Sequence, residues 1–161
     1  MKFISFNHDN SEKFGIIENN LITDLTGKID GASSLKELIK IKKIKEAKEY
    51  AKNNPGSIKP DEIKYSPLIP NPGKIICVGL NYSEHVKETN RTVEENPVIF
   101  HRFPESQTAH MQAIQRPTVS ESLDFEGEMA VIMGEGGKHI KPEVASKHIV
   151  GFSCYNESTI R

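Results

Sequence analysis

Apolar and polar positions alternate at the start of the chain. "MKFISFN" reads as a strand, and "FGIIENNLITDL" sets Asn19 and Asn20 between two apolar runs, which predicts a hairpin whose turn needs positive φ. The period then changes. In "SSLKELIKIKKIKEAKEYAKNN" Leu35, Leu38, Ile41, Ile44, Ala47 and Ala51 recur at helical intervals between a serine start and an "NNPG" stop, which predicts one helix. From Lys59 to Gly73, "KPDEIKYSPLIPNPG" holds four prolines, which forbid continuous helix and predict a stiff connector. The expected organisation is a small N-terminal α/β domain over residues 1–58, a proline-rich linker over 59–73 and a second part over 74–161.

The second part opens with "KIICVGLNY", a short apolar run that predicts a buried strand ending at Gly79. Asn81 followed by Glu84 resembles a capping box, so a helix is expected to start there, with His85 and Glu88 three apart on one face. In "LDFEGEMAVIMG" the acidic residues Asp124, Glu126 and Glu128 alternate along a strand, which puts them on one side with Cα atoms roughly 6.5 to 7 Å apart per step. The continuation "MAVIMG" is apolar on both faces and predicts a strand buried by its middle. A further strand, "GFSCYN", breaks at Asn156 with Glu157 at its end.

Carboxylates crowded on one face must be protonated, solvated or neutralised by a cation. Two readings stay open from the residues alone: a wet strand face, or hard oxygen ligands for Mg²⁺, Mn²⁺ or Ca²⁺. Glu157 would add a third carboxylate. The His85/Glu88 pair is open in the same way. It is either an exposed pair on a helix or a general base whose tautomer is fixed by a carboxylate. "GEGGK" lacks the spacing of a phosphate-binding loop and reads as a turn, and His8, His101, His110, His139 and His148 show no ligand spacing.

Charge and composition narrow the classes of partner. With 21 basic and 22 acidic residues and a net charge of −1, the chain offers no polyanion-binding surface, so no nucleic acid is expected. The basic run "KIKKIKEAKEYAK" reads as the wet face of a helix. "MKFISF" is too short for a signal peptide and no apolar run approaches the ~18 residues of a membrane span, so no membrane association is expected. Cys77 and Cys154, in apolar contexts without metal-ligand spacing, are expected to be reduced, buried thiols of a cytoplasmic protein.

"KIICVGLNYSEHVKE", "PVIFHRFPESQTAH", "RPTVSESLDFEGEMAVIMGEGGKHI" and "GFSCYNESTIR" together resemble the fumarylacetoacetate hydrolase family in order and spacing, over about Lys74 to Arg161. The resemblance implies an α+β chain: part of that family's mixed, β-rich roll, preceded by a small N-terminal domain. It implies Glu126, Glu128 and Glu157 as ligands of a divalent ion, Mg²⁺ first, with Glu157 where the family usually has Asp. It implies His85 and Glu88 as the water-activating dyad, and Arg161, Arg102 and Tyr82 as residues that meet an oxo-acid substrate. The implied reaction is metal-dependent hydrolysis of a C–C bond in a β-diketo acid or acylpyruvate. Isomerisation, decarboxylation, hydration, or a catalytically silent associating relative are the alternatives. The family's catalytic domain continues past the third ligand, so the chain is expected to carry its first part and to cover its strand edges by homo-oligomerisation or with a second-half chain.

Overall fold

The computed structural model describes residues 1–88 and 95–161, and only the backbone of His85 and Glu88. In chain order the elements are β1 (Lys2–His8), β2 (Ser11–Glu18), β3 (Leu21–Asp24), α1 (Leu35–Lys40), α2 (Ile44–Asn53), β4 (Lys64–Tyr65), β5 (Ile75–Gly79), α3 (Ser83–Glu88), β6 (Val98–Arg102), β7 (Leu123–Asp124), β8 (Gly127–Met133), α4 (Pro142–Ala145), β9 (Ile149–Asn156) and β10 (Thr159–Ile160). They fall into two units: residues 1–68 with 108–161, and residues 69–107.

In the first unit β1 to β4 form an antiparallel sheet of order β3-β2-β1-β4. The expected hairpin is present. Glu18 pairs with Leu21, and Asn19 and Asn20 take φ of 50° and 61°, the left-handed pair that matches the twist of two-residue hairpins. Phe6, Phe14, Ile16, Ile22, Leu25 and Leu38 are fully buried, so the core lies on this sheet and is closed by α1, with Ala47 and Ala51 buried from α2. The proline-rich segment also contributes to the sheet, since β4 pairs with β1 through Phe6–Tyr65 and Asn7–Lys64.

The single helix expected from Ser33 to Asn54 is two. Ser34 caps α1 by accepting from the Glu37 N–H at 3.3 Å, but the helix stops at Lys40. Lys42 at φ 60° donates to the Ile39 carbonyl and Lys43 to the Leu38 carbonyl, the two reversed bonds of a Schellman ending, here without the usual glycine. The break starts a new axis on which Ala47 and Ala51 are buried while Ile41 is exposed. A common apolar period did not require a common axis.

The β8·β9 ladder is in register from Gly127/Asn156 to Ile132/Gly151. It corrects the expectation of burial on both faces. Ala130 and Ile132 are half-buried, while Met129, Val131, Met133, Val150 and Phe152 are exposed on the other side. Cys154 is on that exposed side and Cys77 is half-buried, so neither thiol is buried as expected, and neither is in a disulfide.

In the second unit β5 and β6 pair antiparallel from Ile75/Arg102 to Gly79/Val98. "KIICVG" is a strand, but Ile76 and Val78 are exposed, which corrects its expected burial. The helix α3 opens with Val86 N–H on the Tyr82 carbonyl at 3.1 Å, so the cap falls on Tyr82 rather than on Asn81. Among the described residues no helix is long and apolar enough to cross a membrane.

Candidate functional site

The acidic stretch is extended and its alternation is real. Asp124, Glu126 and Glu128 are half-buried, whereas Phe125 between the first two is 78% exposed. Two short ladders hold the stretch. β7 pairs with β10 through Thr159/Asp124 and Ile160/Leu123, and β8 pairs with β9. Glu126, between β7 and β8, is fixed on both sides of its peptide: its N–H donates to Asn156 Oδ1 at 3.0 Å, and its carbonyl accepts from Glu157 N–H at 2.9 Å. The end of β9 therefore brings Glu157 beside Glu126. Glu157 is 8% exposed, the one buried charged residue among the described residues.

Crowded carboxylates need a counter-charge, and here a protein cation supplies it. Arg161 Nε donates to Asp124 Oδ2 at 3.0 Å and Nη2 donates to Glu126 Oε1 at 2.5 Å. The hydrogen bond to Asp124, with the charges of Glu126 and Asp124, raises the guanidinium pKa above its ordinary value, against desolvation. Arg161, expected to meet a substrate carboxylate, instead holds two of the protein's own. Its side chain is 47% exposed while its backbone is pinned by N–H donation to the Ser122 carbonyl at 2.9 Å.

Among the described residues no three His, Cys, Asp or Glu side chains converge to hold an ion. Carboxylate oxygens are the donor type a hard divalent cation takes, but here Glu126 faces a guanidinium. Glu126 and Glu128 share a strand side, Glu157 is joined to Glu126 through the backbone, and the guanidinium already stands in for a cation at Glu126. What the structure brings together by side chain is therefore Asp124, Glu126 and Arg161, with Glu157 joined to Glu126 through its backbone.

The other expected residues lie in the second unit. Arg102 ends β6 opposite Ile75 and is half-buried, and Tyr82, about half exposed, caps α3. His85 and Glu88 fall on α3, and their side chains are outside the described residues. Sequence reasoning missed two roles: Asn156 as the side chain that positions Glu126, and Asp124 as a partner of Arg161. The strand break at Asn156 was the only signal for the first. Nothing in the spacing signals the second.

Residues 74–161 match the family description "Fumarylacetoacetate (FAA) hydrolase C-terminal". The chain belongs to the fumarylacetoacetate hydrolase family. Human "Oxaloacetate tautomerase FAHD2A, mitochondrial" is 36% identical over 100 residues, which are 62% of this chain and 32% of that protein. The chain thus matches about a third of the length of that curated relative. The solved fumarylacetoacetate hydrolase of Exiguobacterium antarcticum is 29% identical, with a TM-score of 0.81 over 100% of this chain and 57% of the other. The maleylpyruvate hydrolase of Sphingobium sp. SYK-6, solved with manganese(II) and pyruvate, shares the fold at 20% identity, with a TM-score of 0.81 over 100% of this chain and 60% of that one. The fold is therefore the α+β, β-rich one of this family.

Proposed function

We propose that the chain provides the acidic side of a divalent-metal site for enolate chemistry on a 2-oxo acid, with C–C hydrolysis of a β-diketo acid or acylpyruvate as the reaction. The observation that carries the reading is local: Glu126 and buried Glu157 are joined by a backbone hydrogen bond of 2.9 Å, and a cation, Arg161, already neutralises Glu126. Glu126, Glu128 and Glu157 would hold Mg²⁺, Mn²⁺ or Ca²⁺. When bound, the ion supplies the positive charge that stabilises an enolate, a charge that develops only as the reaction proceeds.

The chain's own residues do the rest. His85, oriented by Glu88, takes a proton from water as the water oxygen bonds to the distal carbonyl carbon. The C–C bond then breaks, its electron pair passes to the departing enolate, and His85 returns the proton to the enolate carbon. Arg102, Tyr82 and Arg161 are each proposed, from the family resemblance, as residues that would meet an oxo-acid substrate. Glu157, one methylene longer than the usual Asp, reaches the site from a backbone fixed by Glu126.

A second reaction uses the same enolate. The human relative's name, an oxaloacetate tautomerase, favours keto–enol exchange, in which His85 moves a proton between carbon and oxygen without cleavage. One assay separates the two. Loss of acylpyruvate enol absorbance with Mg²⁺, abolished in His85→Ala, supports hydrolysis. Faster loss of oxaloacetate enol absorbance with no cleavage product supports tautomerisation. Equal inertness of wild type and His85→Ala towards both substrates defeats the enzyme reading.

A further inference from the structure

Past β4 the outgoing chain carries Pro67, Pro70 and Pro72, which have no N–H to give, and the returning chain carries Pro104. Strand pairing cannot run unbroken through such segments, so their carbonyls need donors from elsewhere. Two glutamine side chains supply them. Gln112 Nε2 donates to the Tyr65 carbonyl at 2.9 Å. Half-buried Gln107 does more: its Nε2 donates to the carbonyls of Ile69 at 3.3 Å, Pro70 at 3.4 Å and Pro104 at 3.2 Å. The second unit begins at Ile69 and ends at Gln107, so one amide joins its first two residues to its last turn. That turn, Pro104–Ser106, is separated from Arg102 by Phe103 alone.

We infer that Gln107 is the clasp at the base of the 69–107 unit and, through it, a positioning residue for Arg102. The clasp stands on geometry alone, whereas the positioning role rests on the reading of Arg102 as a residue that meets an oxo acid. The amide hydrogens are what matter: two of them serve three carbonyls, and a side chain without them cannot bridge the two ends. Those ends are 38 residues apart in sequence. Opening so long a segment is favoured by chain entropy, and a contact that closes it at its base opposes the opening of everything inside. Inside lie β5 and β6, whose pairing sets Arg102 opposite Ile75. A looser base therefore loosens Arg102 first. The sheet of β1 to β4 belongs to the other unit and is left as it was.

The test uses the full chain at neutral pH, with amide hydrogen exchange read residue by residue and turnover of an acylpyruvate with Mg²⁺ read beside it. Gln107→Ala removes the amide, Gln107→Glu keeps its shape without its hydrogens, and Gln112→Ala is the control. In both Gln107 variants the amides of β5 and β6 are expected to exchange about three- to ten-fold faster, as the loss of a neutral hydrogen bond implies, with β1 and β2 unchanged. Gln112→Ala should leave β5 and β6 at wild-type rates. Gln107→Ala should also raise KM about three- to ten-fold with kcat within about two-fold, because a displaced Arg102 weakens ground state and transition state alike. Wild-type exchange in Gln107→Glu overturns the clasp, as does acceleration spread through β1 and β2 or equal acceleration by Gln112→Ala. Should Gln107→Ala fail to fold, Gln107→Glu decides on both readouts. Faster exchange with KM unchanged, or with a fall confined to kcat, leaves the clasp and overturns the positioning role. A wild type that turns over no acylpyruvate defeats the proposed hydrolysis and the positioning role together, while the exchange rates still decide the clasp.

Discussion

Asp24 ends β3 and ties that strand to its neighbours. Its Oδ1 accepts from Thr26 N–H at 2.8 Å, its Oδ2 pairs with Lys13 Nζ at 3.0 Å, and Thr26 Oγ1 accepts from Phe14 N–H at 3.2 Å. Burial pushes this carboxyl up, but the bonds from Thr26 and the Lys13 charge outweigh it and hold the pKa below the ordinary value. The folded pKa is depressed, so the stabilisation is complete above the unfolded value of about 3.9 and is lost as pH falls through the lower folded value. Asp24→Asn is expected to lower stability by about 1 kcal/mol at neutral pH, after discounting for solvent screening. Urea midpoints of the two proteins should converge below about pH 4; a gap that stays constant on further acidification counts against the assignment. This network was not legible in advance, because no short-range pattern pairs Lys13 with Asp24. The acidic stretch was legible, since alternation alone put Asp124, Glu126 and Glu128 on one side. Its counter-ion was not, because Arg161 arrives just after β10, 35 residues beyond Glu126.

Among the helices and strands, turn chemistry carried the sequence reading and shared periodicity misled it. Two asparagines between apolar runs suffice to predict the β2–β3 hairpin, because few other residues accept φ near 50° and 61° in succession. Asn20→Gly should therefore stabilise the protein by a few tenths to about 1 kcal/mol, read as a raised urea midpoint with unchanged slope. A lowered midpoint speaks against the turn assignment. Gly15 on β2 is the opposite case: a Cβ there would run into the Thr23 carbonyl of β3. Gly15→Ala is expected to destabilise by about 1 to 3 kcal/mol, again from urea midpoints, and an unchanged midpoint would mean that β2 and β3 are less closely apposed than this. The helix was misread because Leu35, Leu38, Ile41, Ile44, Ala47 and Ala51 keep a helical period across a left-handed residue, and nothing in Lys42 marks it as the end of α1. Cap and break were both local, but only the serine cap has a distinctive side chain.

Across the chain as a whole, burial is uneven. The β1–β4 sheet and the segments packed on it own the fully buried side chains, whereas one face of β8·β9 exposes Met129, Val131, Met133 and Phe152. An apolar run cannot say which partner covers it, which is why burial of "MAVIMG" was expected and not found. A contiguous apolar face of this kind favours association, and the chain is expected to sediment as a dimer or larger. Val131→Lys, which puts a charge in the middle of that face, should shift it toward monomer. A wild-type chain that sediments as a monomer counts against this.

A divalent ion held by Glu126, Glu128 and Glu157 is the premise of the proposed enolate chemistry. Anomalous scattering from crystals of the full chain grown with Mn²⁺ decides it. One peak is expected, within about 2.0 to 2.6 Å of oxygens from all three side chains. Saturating Mn²⁺ with no peak there, and Arg161 still on Asp124 and Glu126, would refute it.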